Sequence, residues 1–405
     1  MHPRRSLLLC AMVWSVFFAV SIGLYPHFGT IGDDVSYLDS ARMLYLEGIF
    51  SDARPVVISA VFGFPYLCGA TDATVVTWGL AFNYVLWLGS ALLVFNTASL
   101  ITSRRTAFLA ALALLSCVGV LANAFNFLSE PLYIFLNLAA VRCAAGFSKT
   151  GKPWYLSFAL AALLLNALVK PVAVALAIVL AIVYVKHLKA AITNWGAATI
   201  ALAAFLIGVQ MRQMKATYGD YTLSYIDAIT YYNYLGARAD CYAKGIPFIP
   251  GENDRAKHFQ SFPSHIQKKM AQRDMAEQFR HNTLNLARAY VFCLHSNSSK
   301  GSFIISQAGN PEATLYGRFF KFWWKALSKL QNILLTIVGV ALSVLAFVRR
   351  SNPLQRMLAG FTLAIIGISA MSCYQTDRFH IAIYPLVILM AATEYRVFVG
   401  SGRKP

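Results

Sequence analysis

Charged residues are scarce in this 405-residue sequence. Asp, Glu, Lys and Arg together make up 13% of it, whereas hydrophobic residues make up 58%. Soluble domains average about 25% charged and about 45–50% apolar residues. The shortage of charge argues against a water-soluble fold and indicates a membrane protein.

Acidic residues and paired cysteines are especially few. The chain has 17 Asp and Glu against 35 Lys and Arg, which gives a net charge of +18. A basic chain can bind nucleic acid, but many of these basic residues stand in short clusters between apolar runs, which is typical of a membrane topology signal. The seven cysteines form no C-x-x-C pair, which argues against a zinc or redox centre. We expect no nucleic-acid partner.

Long hydrophobic runs are what the sequence has in abundance. Runs of about twenty residues recur along most of the chain, and this is the length that a helix needs to cross a hydrocarbon layer of about 30 Å. Because backbone polar groups in lipid must be paired within the segment, spanning segments are helical. The sequence therefore predicts an all-α polytopic membrane protein. Ten spans are predicted, at 7–25, 73–97, 106–123, 127–146, 155–169, 172–186, 192–210, 331–348, 356–373 and 381–398.

Basic clusters fall on alternate links between these spans. With a cytoplasmic N-terminus, every cluster lies on the cytoplasmic side, as the positive-inside rule requires. We therefore predict a multi-pass protein of the inner (plasma) membrane with both termini in the cytoplasm. The clusters are Arg104-Arg105, Lys149 and Lys152, Lys186 and Lys189, Arg349, Arg350 and Arg356, and Arg403-Lys404.

Three segments are predicted on the opposite, extracytoplasmic side. The loop 26–72 contains two short amphipathic stretches, Val35 to Gly48 and Pro55 to Ala70, which are typical of helices lying in the membrane interface. The others are the large segment 211–329 and the short link from Tyr374 to His380. The predicted division is thus an N-terminal transmembrane core of seven helices, 1–210, the extracytoplasmic segment 211–329, and C-terminal transmembrane helices, 330–405.

Acidic side chains at this outer level are candidates for chemistry. Asp33 and Asp34 follow the first span; they are either solvated loop charges or a general base with its neighbour, since a carboxylate can take a proton in catalysis. Glu130 opens the fourth span beside Ser129 and before Pro131. An ionisable group at membrane depth is a functional candidate, but this carboxylate could also only complement the helix dipole.

Cations are predicted at the same level. Lys170 breaks a hydrophobic stretch, Arg54 precedes the second amphipathic stretch, and Arg378 with His380 leads into the last span. Each could be an interfacial anchor, because long cationic side chains reach the membrane surface. A phosphate-bearing lipid substrate would explain all of them together, since guanidinium groups suit bidentate phosphate contacts.

Short motifs in this order resemble the GT-C glycosyltransferases, which include the protein O-mannosyltransferases and the lipid A aminoarabinose transferases. In the first loop these motifs are Asp33-Asp34, Tyr37-Leu38, Ala41-Arg42, Gly48 and Arg54-Pro55. Ser129-Glu130 resembles the second acidic motif of the family, and Arg378-Phe379-His380 resembles its Arg-aromatic segment before a late helix. The resemblance covers the chain to about residue 210 and its last 50 residues, but not 211–329.

The resemblance implies an inverting glycosyltransferase that moves a sugar from a polyprenyl-phosphate donor to a hydroxyl acceptor. Asp33 takes the position of the catalytic base, with Asp34 and Glu130 as further acidic residues. Arg54 and Arg378, with His380 in the same motif, match positions near the donor phosphate. Lys170 is added on its predicted topology alone.

Several points stay open at the level of sequence. The acceptor is a lipid, a surface glycan or a protein, and the sugar is not specified. No cofactor is expected and an obligatory divalent metal is not favoured, because Asp33, Asp34 and Glu130 are the only nearby oxygen ligands. The alternative function is a transporter or flippase of a lipid-linked sugar, which should have inverted repeats or broken helices at the bilayer midplane. We find neither in the sequence.

Overall fold

The structure is a computed structural model that describes residues 3–21, 32–250, 254–307, 315–372 and 376–401. Over these ranges the chain consists of helices and connecting turns, without a β-strand. The predicted all-α class is confirmed. Residues 26–31 of the predicted first loop, part of the link from Tyr374 to His380, and the Arg403-Lys404 cluster lie outside the described residues.

Twenty α-helices make up most of the described chain. They are α1 Pro3–Ser21, α2 Gly32–Arg42, α3 Val56–Gly63, α4 Asp72–Ile101, α5 Arg104–Leu115, α6 Val118–Ala124, α7 Glu130–Thr150, α8 Trp154–Ala167, α9 Ala173–Val183, α10 Leu188–Ile192, α11 Ala197–Tyr218, α12 Ile226–Thr230, α13 Ala237–Lys244, α14 Asp254–Gln260, α15 Ser264–His281, α16 Thr283–Ser299, α17 Phe303–Gln307, α18 Leu315–Val348, α19 Pro353–Ser369 and α20 Tyr384–Ser401.

Each predicted span overlaps at least one of these helices, but their number is not confirmed as ten. By length and composition, five helices in the described ranges can cross a membrane, namely α1, α4, α7, α11 and α18. The pairs α5–α6 and α9–α10, bent by 64° and 79°, raise this number to seven if each pair is one span. The helix α8 has 14 residues and is about 21 Å long, which is shorter than a hydrocarbon layer of about 30 Å.

Glycines bring the helices of the bundle close together. A β-carbon at Gly79 of α4 would clash with the ring of Phe127, just before α7. A β-carbon at Gly360 of α19 would lie 2.5 Å from Val179 of α9. Small residues at such contacts let membrane helices pack closely, which is a main source of their stability in lipid. These contacts hold α7 against α4 and α19 against α9, and residues of α7 and α19 line the cavity described below.

The first loop folds into two short helices, as predicted. A wider helical turn, Met43–Glu47, continues α2 and ends at Gly48, whose φ of 71° lies in the left-handed region. A tighter turn, Phe64–Cys68, continues α3. Leu46, Phe64 and Leu67 expose more than half of their surface. Apolar side chains exposed on short helices at this level suit the membrane interface.

The segment between α11 and α18 is helical and has a core of its own. The rings of Tyr232 and Phe259 stack 4.1 Å apart, and Arg255 lies 4.0 Å above the Tyr232 ring. The sequence predicts one helical stretch from Ser264 to Leu294, whereas the structure has a break at Asn282, whose φ is −138°. The helices α11 and α18 continue across the predicted domain limits at 211 and 329. The division into domains remains a prediction.

Four basic links converge at one end of the bundle. They follow α4, α7, α9 and α18, and residues in or directly beside all four links line a cavity of about 860 Å³, including Ile101, Gly151, His187 and Asn352. This convergence agrees with the alternation of basic clusters along the sequence. That this end is cytoplasmic remains a prediction.

Candidate active site

A second cavity, of about 680 Å³, brings together five of the seven predicted site residues. Asp33, Arg54, Glu130, Lys170 and Arg378 all line it. They come from five separate parts of the chain, from α2 to the link before α20. Residues that are far apart in the sequence therefore form a compact cluster of two carboxylates and three cations. Their roles remain predictions.

Prolines position three of these side chains. Arg54, Glu130 and Lys170 each directly precede a proline, and these prolines stand at or just before the starts of α3, α7 and α9. A residue before proline is disfavoured in the α-helical region, while proline itself suits the first turn of a helix. The charged side chains are thus held where helices begin, at one end of the bundle.

Arg378 connects the two carboxylates. Its Nε donates to Glu130 Oε1 at 2.5 Å, and its Nη1 donates to Asp33 Oδ2. The side chain of Arg378 is 8% exposed. A buried charge is stable only when it is paired and hydrogen-bonded, and Arg378 obtains both partners from residues far away in sequence.

Arg54 holds the other oxygen of Asp33. Its Nη2 donates to Asp33 Oδ1 at 2.5 Å, and its Nε donates to Ser36 Oγ at 3.0 Å. The guanidinium carbon lies 4.4 Å from the centre of the Tyr37 ring, a distance suited to a cation–π contact. Both oxygens of Asp33 are therefore engaged by arginines.

Lys170 completes the cluster through Glu130. Its Nζ donates to Glu130 Oε1 at 2.7 Å and lies 5.5 Å from the Phe379 ring. Glu130 is 2% exposed, and its Oε2 has no hydrogen-bond partner among the described residues. Glu130 thus acts as a buried counter-charge for two cations, and its side chain has little room to reach a substrate.

The arginines govern the charge of Asp33. Burial alone would raise the pKa of its carboxyl, but the charges of Arg378 and Arg54 and their hydrogen bonds hold that pKa well below its usual range. The carboxylate is therefore ionised and tightly held. A general base is most effective when its pKa is near the working pH, so Asp33 in this arrangement is a weak base.

Two predicted site residues lie away from the cavity lining. Asp34 is 1% exposed, and its Oδ1 accepts a hydrogen bond from the Val35 N–H at 2.7 Å. His380 is fully buried, with Nδ1 3.0 Å from Thr336 Oγ1 and Nε2 2.9 Å from Ser369 Oγ. Burial lowers the pKa of His380 to about 4, so its ring is neutral. The expected phosphate contact from His380 is not supported, because both ring nitrogens are engaged behind the cavity wall.

Tyr37 and Asp227 are polar cavity residues to which the sequence analysis assigned no role. Tyr37 lines the cavity, and its hydroxyl lies 2.7 Å from Ser129 Oγ and 3.4 Å from Arg54 Nη1. Its position four residues after Asp33 would have placed it on the same helical face. Asp227 also lines the cavity, but it comes from α12, and no sequence pattern connects it to the other residues.

The cavity has few side chains of the kinds that bind a metal ion. No group of three or more His, Cys, Asp or Glu side chains within the described ranges could hold a metal ion. The two carboxylates of the cluster already have cationic partners. Whether the protein needs a divalent metal remains a prediction for an assay.

Comparison with known proteins gives a match in structure alone. No protein-family model matches the sequence, and no curated protein matches it. A solved structure of the archaeal oligosaccharyltransferase AglB from Archaeoglobus fulgidus, in complex with an inhibitory peptide and a dolichol-phosphate, aligns with 100% of this chain at a TM-score of 0.51 and 11% sequence identity. The chain has the GT-C fold.

The GT-C match is partial in length. The chain spans about half of AglB, since 52% of that protein is covered. ArnT from Cupriavidus metallidurans, bound to undecaprenyl phosphate, aligns with 98% of this chain over 78% of its own length, with 12% identity and a TM-score of 0.40. The likeness of the GT-C fold agrees with the short motifs in the sequence, whereas substrate and reaction must be argued from the cavity.

Proposed function

We propose that this protein is an inverting glycosyltransferase that moves a sugar from a polyprenyl-phosphate donor to a hydroxyl acceptor. The observation that carries the proposal is the cavity in which three cations and two carboxylates meet beside an apolar wall. The GT-C fold supports it by analogy, because AglB was solved with a dolichol-phosphate.

The donor phosphate is assigned to the cationic side of the cavity. Arg54, Lys170 and Arg378 face Asp33 and Glu130, which leaves one positive charge in surplus within this network. A phosphodiester that joins a neutral sugar to a polyprenol carries one negative charge and balances this surplus. Arginines suit the contact because their guanidinium groups can bind two phosphate oxygens at once.

The first part of the polyprenyl chain is assigned to the apolar wall. Ile134, Val169 and Val172 line it from α7 and the α8–α9 link, and Ile365 and Ile368 line it from α19. Ile368 is 38% exposed. Each buried CH₂ group contributes about 0.8 kcal/mol, so several apolar contacts would hold a lipid donor beside the cations.

Donor binding would also activate the base. The phosphate competes with Asp33 for Arg378 and Arg54, and its negative charge raises the pKa of the released carboxylate towards its usual value. The acceptor oxygen then bonds to the anomeric carbon while the carbon–phosphate oxygen bond breaks. The leaving phosphate keeps that electron pair and is stabilised by the arginines, and the hydroxyl proton passes to Asp33. A single displacement inverts the anomeric centre.

Glu130 and His380 receive supporting roles in this proposal. Glu130 orients Lys170 and Arg378 through its Oε1 and is proposed as a positioning residue, in place of the catalytic role expected from sequence. His380 joins Thr336 of α18 to Ser369 of α19 two residues after Arg378. It would thereby fix the short turn that carries the arginine.

The membrane location is part of the proposal. We assign the protein to the plasma membrane of the cell, which is the inner membrane where two are present, with Asp33 on the extracytoplasmic face. Single cysteines at residues 152 and 254 test this, in a background where all seven native cysteines are replaced by serine. A membrane-impermeant reagent added to intact cells should label residue 254 alone. Labelling of residue 152 alone would invert the assignment.

One assay tests the function and separates it from transport. Purified protein in detergent receives a panel of labelled synthetic polyprenyl-phosphate sugars together with a heat-inactivated envelope extract from cells that lack the gene, which retains lipid, glycan and protein acceptors. The expected result is release of polyprenyl phosphate and appearance of the label in an acceptor. A flippase would consume no donor under these conditions but would move intact donor across the bilayer of proteoliposomes, and that result would reject the proposal.

A further inference from the structure

The wall of the cavity that comes from the segment after α11 differs from the wall that holds the cations. Four residues of α12 line the cavity, namely Ile226, Asp227, Ile229 and Thr230. Apart from Asp227, α12 contributes no charged side chain here. The segment that has no counterpart in the sequence motifs therefore contributes one carboxylate to the proposed site.

Hydrogen bonds hold α12 next to the loop that contains Arg54. The N–H of Tyr225, just before α12, donates to the carbonyl of Asp52 at 2.8 Å. Gln210 donates from Nε2 to the Leu223 carbonyl at 2.9 Å and accepts through Oε1 from the Val56 N–H at 3.2 Å. These bonds lie on both sides of Arg54 in sequence. The α12 wall is thus fixed in place beside the cations.

Asp227 differs from the other carboxylates of the cavity in having no partner. Asp33 and Glu130 are ion-paired with cations, whereas Asp227 makes no hydrogen bond or ion pair with any residue that the structure describes, and its side chain is exposed. What sets Asp227 apart is that it faces a cavity with three cations while the fixed position of α12 keeps it unpaired from them.

The chemistry of inversion gives this wall a use. The incoming hydroxyl must approach the sugar from the side opposite to the leaving phosphate. The cations attract the phosphate to their own side, and the negative charge of Asp227 repels it from the α12 wall. The donor phosphate therefore leaves the α12 wall free for the acceptor. An ionised carboxylate can only accept hydrogen bonds, so Asp227 is suited to bind a hydroxyl group of the acceptor there.

We propose that the α12 wall is the acceptor subsite and that Asp227 accepts a hydrogen bond from a hydroxyl group of the acceptor. This inference rests on the proposed glycosyl transfer and assigns the segment after α11 to acceptor recognition. Asp227 orients the acceptor, and the proton still passes to Asp33.

The test compares Asp227→Asn with Asp254→Asn. Asp254 is an exposed carboxylate in the same segment and does not line the cavity, so it controls for loss of one negative charge. The assay uses the labelled donor that the wild-type protein consumes, with increasing amounts of the envelope extract. Hydrolysis of the same donor by water, without extract, and binding of polyprenyl phosphate report on the donor side alone.

The expected effect is confined to the acceptor. Asp227→Asn should raise the amount of extract needed for half-maximal transfer by about 10- to 100-fold, as loss of a hydrogen bond to a charged group would. Donor hydrolysis, phosphate binding and thermal stability should not change, and Asp227→Glu should recover part of the transfer. Asp254→Asn should behave like wild type.

Three outcomes would overturn the subsite. Unchanged acceptor dependence in Asp227→Asn would remove its role, and an equal change in Asp254→Asn would reduce it to general charge. A parallel loss of donor hydrolysis would place Asp227 on the donor side instead. A wild-type protein that consumes no donor at all would refute the proposed function and the subsite together, which distinguishes that failure from the other three.

Discussion

The two ends of the helix bundle hold basic residues in opposite physical states. At the end with the 860 Å³ cavity, the basic side chains of the links, such as Lys149, Lys186 and Arg350, are exposed. At the end with the 680 Å³ cavity, Arg54 and Arg378 are less than a tenth exposed and pair with Asp33 and Glu130. Arg349 and Glu394 form an ion pair at the first end, at 3.4 Å, with 60% of the arginine side chain exposed.

Burial explains the difference between the ends. Exposed cations are stabilised by water, and their ion pairs contribute about 0–1 kcal/mol. Buried cations lose that water and require carboxylates and further hydrogen bonds to be stable at all. A protein that only needed a topology signal would have no reason to bury charges at the second end. The comparison therefore favours a substrate-binding role for the buried cluster, and each prediction below changes one end or one partner.

The largest effect is expected from Asp33→Asn. The amide keeps the size of the side chain but cannot take the proton, and loss of a general base costs about 10²–10⁴ in rate. Binding of polyprenyl phosphate should persist and become tighter, because the amide no longer competes for the arginines as an anion. Transfer by purified protein and binding of labelled polyprenyl phosphate measure the two effects.

Two variants on the same helix control this experiment. Asp39→Asn changes an exposed carboxylate of α2 that pairs with Arg42 and should leave transfer intact. Asp34→Asn should be milder than Asp33→Asn. A strong loss of transfer in Asp34→Asn alone would mean that Asp34, and not Asp33, is the base. Wild-type transfer rates from Asp33→Asn would exclude Asp33 as the base.

The next effect is expected from Arg378→Ala. A cation that binds the phosphate in both the ground and transition states should lower donor affinity and turnover together, and loss of a charge-assisted contact corresponds to about 10- to 100-fold in affinity. Arg378→Lys should recover little, because an ammonium lacks the planar fork that connects Asp33 with Glu130. Arg349→Ala at the opposite end should change neither quantity. Normal donor affinity in a folded Arg378→Ala protein would leave Arg378 as a structural counter-charge of Asp33 and Glu130.

A smaller, structural effect is expected from Glu130→Gln. The change leaves Lys170 and Arg378 with one carboxylate fewer in a buried setting, where removal of one partner costs about 3–5 kcal/mol. Glu394→Gln, which weakens the exposed pair at the other end, should cost about 0–1 kcal/mol. Unfolding of the purified proteins in detergent measures both. Equal costs at the two ends would contradict the comparison.

Sequence reasoning predicted the parts of the site that chemistry marks and missed those that packing decides. Arg54, Glu130 and Lys170 were recognisable because charged residues before proline are conspicuous in an apolar chain. The phosphate contact of His380 stays a prediction, and nothing in the sequence indicates that Thr336 and Ser369 engage both of its ring nitrogens. Asp227 was missed because its place in the cavity depends on the hydrogen bond between Tyr225 and Asp52, far apart in the chain.

The fold was predictable to a similar degree. Hydrophobic runs of spanning length show where helices form, and the structure has helices at each of the ten places. The bends in α5–α6 and α9–α10 and the break at Asn282 were not predictable, because they depend on contacts between helices. Periodicity reports which face of a segment is apolar, whereas the neighbour that bends it is a tertiary property.

The last prediction compares two carboxylates at the same end, one paired with arginines and one without a cationic partner. Asp33 has two arginine partners, whereas Asp377 is 1% exposed and its Oδ2 has no hydrogen-bond partner among the described residues. Burial raises the pKa of Asp377 from 3.8 to about 7, against a smaller opposing effect of the Phe303 N–H. Between these two pH values the folded protein binds a proton that the unfolded chain has lost, so this group lowers stability as pH rises from about 4 to about 7.

Asp377→Asn removes that proton and should remove the pH dependence with it. The stability of the variant minus that of wild type should increase as pH rises through this range and level off above about 7, with about 1.4 kcal/mol for each unit of pKa shift. His380, whose pKa is lowered, acts in the opposite sense between its folded value of about 4 and 6.5, so the difference between the two proteins is informative where the wild-type profile alone is not. Unfolding at pH 5, 6, 7 and 8 measures it. A difference that stays constant with pH would mean that Asp377 is ionised throughout, and that burial without a cationic partner does not keep a carboxyl group protonated at this end of the bundle.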